Sequence, residues 1–379
     1  MRLWLYRLWV MTAKELLQLS RDPVLLIILA WFFTAEIYIA GSGISMSLKR
    51  ASVTVVDLDQ SAASRELTSR FRPPYFDVKE IDFSLEAAAS RLDRGQRMLV
   101  LTFPPGFEKD LEAGRAVGVQ LLVDTTNTVL GTLATAHAGR IVEGYAADRA
   151  LEDLGIDELD LAAMPRVASK TRVWYNPNQV DPWFMSISEL MTVITMLSLM
   201  LPAAAAVREK ERGTIEQLAV SPLTPFQILF PKVIAMTLAI LAGTAVALFG
   251  ILLPVFEVPV KGSLALFFAV TALYALAVSG LGLVIAAVSR NLGQVSMLVV
   301  VVLMPMLLLS GAWTPPEAMP WLLRQLMVVS PLYWFIELGY GILLKGAGPA
   351  LLWDEMVGLA ALGGAIFALG IARFRRQFA

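Results

Sequence analysis

Residues 264–309 read LALFFAVTALYALAVSGLGLVIAAVSRNLGQVSMLVVVVLMPMLLL, and Arg290 is the only charge among them. The stretch divides at Ser289–Leu292 into two apolar segments, Leu264 to Val288 and Val295 to Leu309. A helix rising ~1.5 Å per residue needs about 20 apolar residues to cross ~30 Å of hydrocarbon, so each segment is long enough, or nearly so, to span a bilayer. Four more segments of this kind flank the pair: Val24 to Ala40, Met185 to Val207, Val233 to Pro254, and Leu352 to Ile371. Six such segments are too many for the buried helices of a soluble protein. The expected fold is an α-helical polytopic membrane protein with six transmembrane helices and an external α/β domain inserted between helices 1 and 2.

Composition agrees. Of the 379 residues 57% are hydrophobic, and the mean hydropathy is +0.65. Soluble domains sit near 45–50% apolar. Between Met46 and Trp183 lie 16 of the 31 Lys and Arg and 20 of the 32 Asp and Glu, so the other 241 residues share only 27 charges. A net charge of −1 gives no sign of a nucleic-acid surface. With no cysteine and one histidine, His137, thiolate metal sites and cysteine nucleophiles are excluded and no metal site is expected.

The expected parts are an interfacial amphipathic helix at 1–22, a first transmembrane helix at 23–45, an α/β domain at 46–183, and transmembrane helices 2–6 within 184–379. The N-terminal lead interleaves Leu3, Trp4, Leu8, Met11 and Leu16 with Arg2, Arg7 and Lys14, which suits either the lipid headgroup level or packing on other protein. It is long for a cleavable signal and reads as an uncleaved anchor. With the N-terminus inside, twelve basic residues face the cytoplasm (Arg2, Arg7, Lys14, Arg21, Arg208, Lys210, Arg212, Lys232, Arg290, Arg373, Arg375 and Arg376), while the short outer loops hold Lys261, Arg324 and Lys345. That asymmetry predicts both termini in the cytoplasm. In the α/β domain, strands are expected at Val53–Asp57, Phe76–Ile81, Met98–Phe103, Val117–Val123 and Arg172–Tyr175. Helices are expected at Ser61–Phe71, Ser84–Arg94 and Thr128–Leu154.

Arg208-Glu209-Lys210-Glu211-Arg212-Gly213-Thr214-Ile215-Glu216-Gln217-Leu218, followed by Ser221-Pro222, is the most informative polar stretch. Thr214 with Gln217, and Thr224 with Gln227, have capping-box spacing. Two short helices beneath the membrane are expected from this, separated by breaks at Gly213 and Pro222. They would form either a stiff knob that docks into a partner or a solvated loop that only fixes topology.

This run resembles the signature of ABC-2 type permeases, the membrane subunits of ABC exporters. So does the stretch Leu309 to Trp321, which includes Gly311, Trp313, Pro315, Pro316, Glu317 and Pro320 and continues to Ser330-Pro331-Leu332-Tyr333 and Glu337. The resemblance covers the whole chain and is closest to the bacterial drug-type branch with a large external domain. It implies a coupling helix within 208–225 whose Glu209, Glu211, Arg212, Gly213, Thr214, Glu216, Leu218 and Pro222 serve the ATPase. It also implies short re-entrant helices within 312–335 closing the outer end of the pathway. Prolines 315, 316 and 320 independently bar a continuous helix there.

The implied partners are an ABC ATPase subunit, a second permease copy (identical or homologous), membrane lipid and, in a double-membraned bacterium, a periplasmic adaptor. The implied location is the inner membrane. No Gly-Lys dipeptide occurs, so the chain lacks a phosphate-cradling Walker A loop, and ATP and Mg would be bound by the partner. No catalytic residue is expected in this chain.

Glu36 and Glu189 stand inside expected spans, where a carboxylate costs ~2.5–3.5 kcal/mol. They would line a pathway or anchor the external domain. Met191, Met196, Met200, Met297, Met304 and Met306 could line a hydrophobic path. A membrane receptor sensing an external ligand is a competing reading, weakened by the lack of a cytoplasmic effector domain. An intramembrane enzyme is weakened because no span holds a histidine and no two carboxylates are expected at one depth.

Overall fold

The computed structural model describes residues 2–43, 47–155, 174–178, 180–213, 224–312, 314 and 316–375. They fall into two compact units, one formed by 45–171 and the other by the remainder of the chain.

The first unit is a four-stranded sheet in the order β2-β1-β3-β4. Strands β1 (Ala51–Asp57), β2 (Phe76–Asp82) and β3 (Leu99–Phe103) run parallel, and β4 (Gln120–Val123) is antiparallel to β3. Alternation along the strands fills two faces. Val53, Val55, Leu99, Leu101 and Phe103 pack with residues of the helices Ala62–Arg70 and Thr128–Asp153. Val56 and Val100 pack with Ala88 of the helix Leu85–Asp93. Helices on both faces are what near-continuous apolar parallel strands require.

Two expectations fail in part. The last strand is four residues, Gln120–Val123, rather than the seven from Val117. Trp174 and Tyr175 are not in a strand, because Tyr175 adopts φ 69°, a left-handed conformation that ends extension; Arg172 and Val173 lie outside the described residues. A short helix, Phe107–Glu112, was not anticipated.

In the helical unit the labels used below are α1 (Arg2–Ser20), α2 (Pro23–Gly43), α3 (Asp181–Glu211), α4 (Pro225–Ala247, continued by a wide turn Leu248–Leu252), α5 (Leu264–Val288), α6 (Leu292–Leu308), α7 (Trp321–Leu326), α8 (Pro331–Tyr340) and α9 (Trp353–Arg375). Among the described residues five helices are long and apolar enough to cross a membrane: α2, α3, α4, α5 and α9. The expected fifth span, α6, has 17 residues and falls short of that length. The segments Trp321–Val329 and Pro331–Lys345 form a pair bent by 86°.

Caps explain several boundaries. Asp22 accepts the Leu25 N–H ahead of Pro23, and Ser263 accepts the Leu266 N–H to open α5 where the sequence placed it. Thr224 and Gln227 form the expected capping box with Pro225 at the first turn. They open the long α4 rather than a short separate helix, so this span begins eight residues before the expected Val233. Helices α5 and α9 meet backbone to backbone. A Cβ on Gly370 would lie 2.3 Å from the Gly280 carbonyl oxygen, and one on Gly280 2.5 Å from Phe367 Cα. Small residues of this kind permit close helix approach in lipid.

Candidate functional site

The last four residues of α3 are Arg208, Glu209, Lys210 and Glu211. The resemblance implied a span ending near Val207 and a separate coupling helix holding Glu209 and Glu211, with a break at Gly213. Instead α3 runs through them, because Arg, Glu and Lys are good helix formers and Arg208 and Lys210 suit the negative end of the helix dipole. The helix stops at Gly213, whose φ of 66° is the left-handed conformation that ends helices.

Successive helical residues project about 100° apart, so four in a row sweep the full circumference. Such a sweep finds partners on every side only if the helix is surrounded. That is the position of α3, which is 72% buried along its apolar stretch against 17% for α2 and for α9.

Each of the four residues bonds a different neighbour. Arg208 Nη1 donates to Asp22 Oδ2 at 2.7 Å, while Asp22 Oδ1 accepts the Leu25 N–H at 3.1 Å to cap α2. The Leu25 N–H first, then Arg208, holds the Asp22 carboxyl below the usual carboxylate range. Glu209 Oε1 accepts from Lys232 Nζ of α4 at 2.6 Å and from Lys14 Nζ of α1 at 3.4 Å. Lys210 Nζ donates to the Ala286 and Ser289 carbonyls at 2.6 and 3.4 Å, capping the end of α5, and lies 5.3 Å above the Phe374 ring of α9. Glu211 Oε1 accepts the Leu292 N–H at 3.0 Å, at the start of α6. One turn of α3 thus bonds α1 and α4 and holds the ends of α2, α5 and α6.

Lys232 is the centre of this network. It is 1% exposed and also donates to Glu15 Oε1 at 2.6 Å; Glu15 is 3% exposed. Burial works against the Lys14 ammonium, but Glu15 and Glu209 outweigh it and raise the Lys14 pKa above the ordinary lysine value. Leu8, Thr12, Glu15 and Leu19 form the buried stripe of α1. Trp4 stacks with Phe226 of α4 at 6.4 Å between centroids, so α1 packs on its own chain. Leu3, Trp4, Leu5, Tyr6, Trp9 and Val10 remain exposed.

Sequence reasoning counted Lys14, Asp22 and Lys232 only as topology or capping residues and passed over Glu15. The usable signal was Lys232 itself, a lysine followed by an unbroken apolar run, which a bilayer-edge helix tolerates only with a partner. Arg212 is exposed and makes no ion pair among the described residues. Thr214, Glu216, Leu218 and Pro222, with the expected Thr214–Gln217 capping box, lie outside the described residues.

At the broken pair, α6 ends at Leu308, and Gly311 follows with φ 81°. Pro316 and Glu317 form a single 3-10 turn, Pro320 precedes α7, and Pro331 opens α8, which carries Glu337. The Ser330 hydroxyl between the two arms donates to the Met306 carbonyl at 3.4 Å. Pro315 and Trp313 lie outside the described residues.

Glu36 and Glu189 stand at similar depths, contrary to expectation. Helix α3 begins at Asp181, before the expected Met185, which puts Glu189 eight residues from its start; Glu36 lies seven residues before the end of α2. Both are therefore ~10–12 Å into their helices, and the two carboxylates are close enough to interact electrostatically. The six methionines do not share a face: Met191 is fully buried, whereas Met297 is 74% and Met304 47% exposed. His137 stacks on Tyr75 with centroids 4.0 Å apart.

A family profile described as "ABC-2 family transporter protein" matches residues 23–372. The chain is 32% identical over 363 residues to the inner membrane transport permease YhhJ of Escherichia coli (strain K12), covering 96% of this chain and 95% of that one. It is 30% identical over 378 residues to the probable multidrug ABC transporter permease YbhR of the same organism, covering 98% and 99%. A third relative, the probable multidrug ABC transporter permease YbhS, is 25% identical over 362 residues, covering 94% and 93%.

Proposed function

The chain belongs to the ABC-2 family of transporter proteins, and from that premise we propose that it is the membrane-spanning permease of an exporter powered by a separate ATPase subunit. The observation that carries this reading is the attachment of five helices to the last turn of α3. A push on the segment 212–223 reaches α3 at Gly213 and passes through short, charge-assisted bonds to the neighbouring helices. In this reading Arg212, Thr214, Glu216, Leu218 and Pro222 form the contact with the ATPase. Glu209 and Glu211 transmit the displacement into the bundle.

The same reading makes α6 the fifth of six spans, both termini cytoplasmic, and residues 46–183 external. The bent pair, with Gly311, Pro315, Pro316, Glu317, Pro320, Pro331 and Glu337, closes the outer end of the pathway. Glu36 and Glu189 lie on that outer side, as pathway lining or as an anchor for the external domain. ATP and Mg belong to the ATPase, a second permease copy completes the pathway, and a periplasmic adaptor meets the external domain. Cargo is hydrophobic or amphipathic; two relatives named as probable multidrug permeases support that class.

The test is ATP hydrolysis by the reconstituted complex. Charge reversal in Arg212→Glu and Glu216→Lys is expected to abolish stimulation of the ATPase by the permease while leaving the melting temperature unchanged. Full stimulation in both variants overturns the docking assignment.

A further inference from the structure

A cavity of about 680 Å³ opens where α1, the start of α2, the last turns of α3 and the first half of α4 meet. Its size is that of a small-molecule site, and its walls divide by chemistry. Leu25, Leu201, Ala205 and Met236 give it an apolar side; Lys14, Arg21, Arg208 and Arg212, with Glu15, Asp22 and Glu209, give it a charged rim in which cations outnumber anions. The chain fixes its level relative to a bilayer, because Asp22-Pro23 opens one membrane-length helix and Arg208–Arg212 closes another.

The charges around it do not cancel. Arg208 is matched by Asp22, and Lys14 and Lys232 are matched by Glu15 and Glu209. Arg21 and Arg212 also line the cavity, and neither makes an ion pair among the described residues. Two guanidiniums at the edge of an apolar recess fit a phosphate that carries hydrocarbon. Guanidinium groups take phosphate in bidentate fashion, and an apolar wall is poorly satisfied by water.

We propose that this cavity binds an anionic phospholipid, with its phosphate between Arg21 and Arg212 and its upper acyl chain against Leu25, Leu201 and Met236. The proposal rests on reading α2 and α3 as membrane spans; Arg212, assigned above to the ATPase contact, holds the lipid in the permease without its ATPase. Anionic lipid is concentrated in the cytoplasmic leaflet, the side to which the positive charge assigns this end of the bundle. The bound lipid bridges α1 and α3 beside the Lys232 network, making the surrounding membrane a structural part of the site.

The experiment is native mass spectrometry of the full-length permease in mild detergent, titrated with phosphatidylglycerol and with phosphatidylcholine of the same acyl chains. One phosphatidylglycerol per chain should bind about tenfold more tightly than phosphatidylcholine, equivalent to ~1.4 kcal/mol. The exposed pair Arg21→Gln and Arg212→Gln should remove that preference. Ala205→Phe, which fills the apolar side without altering charge, should weaken both lipids.

Excess inorganic phosphate should leave the phosphatidylglycerol adduct in place. Equal binding of the two lipids, an undiminished preference in the double variant, or displacement by phosphate alone would each overturn the proposal. No ATPase is present in this assay, so its failure leaves the permease reading untouched, and failure of the ATPase test leaves the lipid result standing.

Discussion

The two compact units use charge in opposite ways. In the sheet unit, ion pairs lie at the surface: Arg70–Asp148 has side chains 32% and 56% exposed, and Arg149–Glu152 27% and 64%. In the helical unit, Lys232 and Glu15 meet at 1% and 3% exposure, and the bonds of Arg208 and Lys232 join residues 186 and 217 positions apart. Exposed pairs of this kind contribute about 0–1 kcal/mol. A buried network contributes little net stability when whole but is costly to break, because the ion left behind has no water and no partner. The charges of the sheet unit therefore face solvent, whereas those at the end of α3 tie together helices that are distant in sequence.

The largest effect is expected from Lys232→Met, which leaves the buried Glu15 and Glu209 with only the half-exposed Lys14 between them. We expect a loss of about 3–5 kcal/mol, seen as a large drop in melting temperature of the solubilised protein. A drop no greater than that of a surface variant would erase the contrast between the units. Asp22→Ala should come next, at about 1–2 kcal/mol, because it removes both the cap of α2 and the partner of Arg208. Asp22→Asn, which can still cap, should recover much of that loss in the same melting assay.

Acid sharpens the comparison from the other side. Burial opposes ionisation of Asp59, but hydrogen bonds from Ser61 and from the Glu108 and Gly106 backbone amides outweigh it and hold the pKa below the ordinary 3.8. A depressed folded pKa means that this stabilisation is complete above the unfolded value and is lost as pH falls through the folded one. Pepsin cleavage between residues 57 and 112 should therefore accelerate as pH falls below about 4, and Asp59→Asn should flatten that acceleration. The smallest effect is expected for Asp148→Asn, within about 0.5 kcal/mol by thermal melting. A shift comparable to that of Asp22→Ala would mean that surface pairing in the sheet unit carries weight of its own.

What was legible in the sequence was what local pattern dictates. An unbroken apolar run fixed α5 at both ends, and short apolar runs alternating with helical segments gave three of the four strands to within two residues. Errors arose where polar residues were taken as boundaries. Gln227 and Lys232 look too polar for a span, yet α4 begins at Pro225 because its capping box starts a helix wherever it stands. Arg208–Glu211 look like the edge of a loop, yet nothing in them breaks a helix before Gly213. The hub itself left only an indirect trace, because its partners lie far away in sequence; four charges in a row announce polarity, not the five helices they reach. The shared depth of Glu36 and Glu189 did not depend on exact helix boundaries: in the expected spans each already stands four residues from an outer end, at Ala40 and at Met185.

The most direct test is a triple variant, Glu15→Gln, Glu209→Gln and Lys232→Met, assayed for permease-stimulated ATP hydrolysis in the reconstituted complex. Removing the three buried charges leaves only Lys14 unpaired, and its side chain is 40% exposed and can be solvated, so the protein should fold and melt close to the wild type. If these bonds carry motion from the ATPase side into α1 and α4, stimulation should collapse despite the intact fold. A triple variant that melts normally and is stimulated as fully as the wild type would contradict the account.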